Sequence, residues 1–110
     1  MKEMTIVVGT DFTRTPIGRY LKESKWSGEA FREDKLIPAL TENEKVIVDL
    51  SGVAGYGSSF LEEAFGGLVR SGKFTQEVLK DRLVIYASDP TYQPYVDCVK
   101  RYMDEAWQTK

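Results

Sequence analysis

Two consecutive serines, Ser58 and Ser59, stand between a turn punctuated by Gly52, Gly55 and Gly57 and an apolar helical pattern that begins at Phe60. A helix start carries unpaired backbone N–H groups and the positive end of the helix dipole. A serine in that place caps the helix, holds an anion or receives a phosphoryl group. Ser59-Phe60-Leu61-Glu62 fits the Ser-x-x-Glu capping box, which would make Ser59 a cap worth about 1 kcal/mol. Asp49 lies near the end of the apolar run before the turn and reads either as a charged site residue or as a tie for loop amides. Upstream, residues 12–25 hold four basic side chains (Arg14, Arg19, Lys22, Lys25) and one acidic one (Glu23), with Tyr20 inside the stretch and Trp26 just after it. That stretch is either a phosphate- or acid-binding loop using Arg14 and Arg19, or a solvated loop whose aromatics cover the core edge.

Much other chemistry is excluded. The chain has no histidine, which removes Ser–His and Cys–His nucleophile pairs and most zinc sites. No paired carboxylates stand out, and the glycine turn has neither the Gly-Lys-Ser/Thr ending nor the Gly-x-Gly-x-x-Gly spacing of nucleotide-binding loops. The expectation is a non-enzyme without cofactor or metal. A net charge of −2 argues against nucleic-acid binding. The single cysteine, Cys98, fits a reducing compartment and reads as half-buried and structural. No signal-peptide shape or run of ~20 apolar residues is visible, so a cytoplasmic protein is expected, folded as one domain over residues 1–110.

The elements that must position the serines follow from the apolar pattern. Thr5–Val8, Lys45–Leu50 and Arg82–Ala87 read as strands, the second as a central one covered on both faces. A weak further strand is expected near Arg19–Leu21. Ser27 is placed to cap a helix that Pro38 should kink or restart near Lys35. From about Ser59 to Arg70, Phe60, Leu61, Ala64, Phe65, Leu68 and Val69 line one helical face. Gly66 and Gly67 fall off that face and each costs about 1 kcal/mol against alanine. They imply a closely packed backbone or a flat strip for a partner, with Arg70 beside it. Thr75 can cap a short helix, and a last helix should run from about Thr91 to Trp107. Alternating strands and helices predict an α/β fold with a mixed or mostly parallel sheet covered by helices and right-handed crossovers.

The order KVIVDLSGVAGYGSSFLEEAFGGLV resembles STAS domains (sulfate transporter and anti-sigma-factor antagonist). The run Gly55–Leu68, with Gly18-Arg19-Tyr20, Ser27–Arg32 and Ser88-Asp89-Pro90, resembles more closely the small bacterial STAS-like domains of unassigned function. The resemblance implies a small STAS-like fold and a non-catalytic, regulatory, protein-binding role. In anti-sigma-factor antagonists the equivalent turn reads Asp-Ser-Ser-Gly-Leu, and one serine is phosphorylated by a partner that is both kinase and anti-sigma factor. Here Gly57-Ser58-Ser59-Phe60-Leu61 occupies that turn, with Gly57 for the acid and Phe60 for the glycine. Ser59 takes the phosphorylated position, with Ser58 beside it. The implied partner is a protein of the histidine-kinase-type ATPase or serine-kinase class. A docking surface on this turn and helix would draw on Asp49, Gly55, Gly57, Gly66, Gly67, Arg70, Arg14 and Arg19. The alternative is a small-ligand domain holding an anion or nucleotide at the same turn.

Overall fold

A computed structural model describes residues 2–109. Three strands, β1 (Glu3–Val7), β2 (Lys45–Asp49) and β3 (Leu83–Tyr86), form an all-parallel sheet in the order β1-β2-β3. Parallel neighbours require crossovers, and helices supply them. Helix α1 (residues 28–42) joins β1 to β2. Helices α2 (residues 58–70) and α3 (Gln76–Arg82) join β2 to β3. Helix α4 (Gln93–Gln108) follows a short 3₁₀ turn at Pro90–Tyr92.

The starts of these helices follow the side chains available. Ser27 accepts the Ala30 N–H at 3.2 Å, Thr75 accepts the Val78 N–H at 3.2 Å, and Asp89 accepts the Thr91 N–H at 3.0 Å. Pro38 does not break α1. The helix widens into one π turn over Arg32–Leu36, where the Ile37 N–H reaches back five residues to the Arg32 carbonyl. A wider turn just ahead of a proline relieves the clash of its ring with the preceding turn. The expected strand near Arg19–Leu21 does not form. Gly18 there has φ +89°, and the chain bends and turns back, with the Glu23 and Ser24 N–H groups on the Tyr20 carbonyl.

Ile6, Val8, Val46, Val48, Leu50 and Leu83 pack with Phe31, Leu40, Phe60, Phe65, Leu68, Val96 and Val99 into one core. The other face of the sheet is not part of it, which corrects the expectation of a strand covered on both faces. Ile47 is half-buried and outside the core, while its neighbours Val84 and Tyr86 are 36 % and 45 % exposed. Successive strand residues point to opposite faces, so Val46 and Val48 go in and Ile47 goes out.

Candidate functional site

The serines sit beyond the carboxyl end of β2, where open parallel sheets bring loops and helix starts together. Asp49 holds the base of this region. Its Oδ1 accepts the Ser51 N–H at 3.0 Å and the Ser88 N–H at 3.1 Å, tying the end of β2 to the loop after β3. Burial pushes its carboxyl up, but the donors of Ser88 and Ser51 outweigh that and hold it below its ordinary value of 3.8. Asp49 is 6 % exposed and lies away from the serines' cleft.

Tyr56 fixes the glycine turn. Its hydroxyl donates to the Leu50 carbonyl at 2.7 Å, and its ring packs on Phe60 and Tyr95, with centroids 5.9 and 5.0 Å away. Burial pushes its phenol well above the usual tyrosine range. Tyr92 adds a second pin, donating to the Val53 carbonyl at 2.6 Å. Gly52, at φ +88°, packs directly on Gly9, where no β-carbon would fit.

Helix α2 starts one residue earlier than its sequence suggests. Gly57 is the cap residue, extended at φ −81° and ψ 148°, and no side chain caps the helix. Ser58 and Ser59 are its first two helical residues, both exposed. The capping box with Glu62 therefore does not form, because Ser59 already lies inside the first turn and Glu62 is engaged elsewhere. Among the described residues the two hydroxyls and the N–H groups of Ser58, Ser59 and Phe60 have no hydrogen-bond partner. They face an open cleft of about 540 Å³ between α2 and the 16–23 loop, with Arg19, Tyr20 and Glu23 on the opposite wall.

A charged network runs from this cleft along α2. Arg19 Nη1 donates to Glu62 Oε1 at 2.6 Å and Glu63 Oε1 at 3.2 Å. Arg70 donates to both oxygens of Glu62, at 2.5 and 3.0 Å. Arg32 Nη1 reaches Glu63 Oε2 at 2.7 Å and the Glu63 carbonyl at 2.8 Å. Hydrogen bonds from Arg70, then from Arg19, hold the Glu62 carboxyl below its ordinary value against its partial burial. The glutamates sit in a π turn, Glu62–Gly66, where helix widening leaves room for the Arg32 contact to the Glu63 carbonyl.

This network accounts for the mid-helix glycines. A β-carbon on Gly66 would strike the Glu62 carboxylate, and one on Gly67 would strike the Arg32 guanidinium. Both glycines are buried under the chain's own ion pairs, so the expected flat strip for a partner is not exposed there. Close backbone approach occurs instead at Gly28, where a β-carbon would lie 2.5 Å from the Phe60 carbonyl oxygen and 3.0 Å from the Ala64 nitrogen. There α1 crosses α2.

The structure thus brings Ser58, Ser59, Gly57 and Arg19 together and leaves the other expected site residues around them. Arg70 is exposed at the far end of the network. Gly55 lines a separate recess with Thr15, Pro16, Ile17 and Trp26. Arg14 lines neither, and contributes its carbonyl to the Ala54 N–H at 2.8 Å. Sequence reasoning missed Tyr56, Glu62, Glu63 and Arg32 as organisers of the site. A tyrosine between two glycines and a Glu-Glu pair before Gly-Gly were the available signals. Among the described residues no group of three or more Cys, Asp or Glu side chains is placed to hold a metal, and no helix is long and apolar enough to cross a membrane.

A three-stranded parallel sheet, with helices packed on it and an exposed serine pair opening the helix after the central strand, defines a small STAS-like α/β domain. The chain belongs to the family of STAS-like domains of unknown function (DUF4325), whose model matches residues 27–93. The match begins at the Ser27 cap and spans β2, α2 and β3, while Arg19 and its loop lie before it. No curated protein and no solved structure showed a significant match.

Proposed function

We propose that this chain is a non-catalytic, cytoplasmic partner-switching module that docks a protein through the α2 start and is released by phosphorylation of Ser59, with Ser58 as the second candidate. The observation that carries this reading is the pair of exposed, unpartnered hydroxyls on an uncapped helix start, facing a cleft with an arginine on its other wall. The partner is a protein of the histidine-kinase-type ATPase or serine-kinase class. In the switching step Ser59 Oγ bonds the γ-phosphorus of a nucleoside triphosphate as the bond to the diphosphate leaving group breaks. The hydroxyl proton passes to a base of the kinase. The product carries a charge of about −2 at the positive end of a helix, tolerable in the free domain but repulsive against an acidic or apolar interface.

The test compares wild type and Ser59→Asp as baits in lysate of the native host, with mass mapping of the peptide that holds Ser58 and Ser59. Retention of an ATPase-fold protein by wild type and its loss from the variant support the switch. Equal retention by both, with the peptide unmodified, overturns it.

The open cleft favours one second reading, in which the free N–H groups of α2 and Arg19 hold a small anion or nucleotide. It expects a melting shift with a phosphate-bearing compound. A flat thermal screen across nucleotides and inorganic anions removes it.

A further inference from the structure

Arg19 is under-used where it stands. Only its Nη1 is engaged, by Glu62 and Glu63, while Nε and Nη2 have no acceptor among the described residues. Its side chain is part-exposed and lines the same cleft as Ser58 and Ser59. Two contacts fix its position independently of the glutamates. Its carbonyl accepts the Glu29 N–H at 3.0 Å, and the neighbouring Gly18 carbonyl accepts the Gly28 N–H at 3.0 Å. Those bonds anchor it to the start of α1, the point at which Gly28 packs on the Phe60 carbonyl. On α2, Ser58 and Glu62 are four residues apart, as are Ser59 and Glu63, so each pair is neighbouring on the helix surface. Arg19 already reaches both glutamates and lines the same cleft as both hydroxyls.

We propose that Arg19 is the phosphate-receiving residue of this site: its free guanidinium edge takes the phosphoryl group of phospho-Ser59, on a backbone already held at the start of α1. This rests on the reading of Ser59 as a phosphorylation site and adds how the modification is read. A guanidinium fork matches a phosphate's oxygens two at a time, which a lysine cannot do. The other charged groups nearby divide in two. Glu62 and Glu63 oppose the phosphate, but Arg70 and Arg32 already neutralise them. Glu23, on the cleft wall, is tied to the Tyr20 N–H at 3.0 Å. The consequence is local. Arg19 sits between Ile17, 63 % exposed, and Tyr20 and Leu21, 43 % and 48 % exposed, so a phosphate held by Arg19 places its charge beside these exposed apolar side chains.

The experiment installs phosphoserine at position 59 during translation, so that no kinase or partner is needed. The phosphate is titrated by phosphorus NMR in three backgrounds: Arg19, Arg19→Gln and Arg70→Gln. A free phosphoserine has its second pKa at about 6. With Arg19 present the phosphate is expected to titrate about one pH unit below its value in Arg19→Gln. Arg70→Gln should move it by less than half as much. In the Arg19 protein, amides of Gly18 to Leu21 should shift as the phosphate ionises, and in Arg19→Gln they should not. Should Arg19→Gln lose its dispersed amide spectrum, Arg19→Lys serves in its place, and an intermediate titration with the amide shifts reduced supports the fork. Equal titration with and without the Arg19 fork, or an Arg70 effect as large as that of Arg19, overturns the proposal. A partner that still binds the phosphorylated chain sinks the switching reading instead, and leaves the Arg19 contact standing.

Discussion

At the scale of single residues, this site depends on groups left without partners and on others that serve two donors at once. Gly57 has no side chain to accept from the free N–H groups of the first turn. It caps α2 with ordinary extended dihedrals, and a β-carbon there would meet nothing within 4 Å. Gly57→Asp should therefore be accepted without strain and supply the missing cap and a favourable charge at the helix start. A gain of about 0.5–1 kcal/mol is expected, read as a higher urea midpoint with an unchanged slope. Asp49 belongs to the second kind. Asp49→Ala leaves two loop N–H groups unpaired at the end of the sheet, and a loss of about 2 kcal/mol is expected by the same assay. The carboxyls of Asp49 and Glu62 both lie below their ordinary values of 3.8 and 4.5 when folded. A depressed carboxyl stabilises the fold above its unfolded pKa, and that contribution is lost as pH falls through the folded one. Stability should thus be level near neutrality and decline as pH drops below about 4.5, with a shallower decline in Asp49→Asn.

At the scale of elements, the α1–α2 crossing and the π turns decide which glycines matter. Gly28 is pressed against the backbone of α2, and backbone cannot step aside. Gly28→Ala should separate the helices and cost about 2 kcal/mol, seen in thermal or urea unfolding. At Gly66 the obstacle is the mobile end of Glu62, shared with Arg70 at an exposed edge. Gly66→Ala should weaken that ion pair but gain about 1 kcal/mol of helix propensity, for a net change within about 0.5 kcal/mol. Helix periodicity made α2 legible in the sequence, and the Ser27 and Thr75 caps were legible for the same local reason. The reason for Gly66-Gly67 was not, because the groups that cover Gly67 include Arg32, from another helix.

At the scale of the whole molecule, the domain has a filled side and a bare one. Among the described residues the helices pack toward the Val46–Val48 face, while the Ile47–Val84–Tyr86 face carries none. Val48→Ala should cost about 2 kcal/mol, whereas Val84→Thr should stay within about 0.5 kcal/mol, and calorimetry on the two variants separates the faces. Apolar β-branched runs read as buried on both sides because parallel strands usually are. Whether a helix covers the second face depends on how the crossovers pack, which the run KVIVDL does not encode.

The sequence by itself determined what local rules govern: the strands, the amphipathic faces of α2 and α4, the serine and threonine caps, and the glycine turn ahead of Ser58 and Ser59. Each of those follows from periodicity or backbone freedom within a few residues. The tertiary structure alone decided that α2 begins at Ser58 without a side-chain cap, that Asp49 is a strut, and that Arg19, 43 residues before Glu62, shares a cleft with the serines. Those facts depend on which groups from distant segments meet. A hydroxyl is free, or a carboxylate engaged, only when the rest of the fold has settled where their competitors lie.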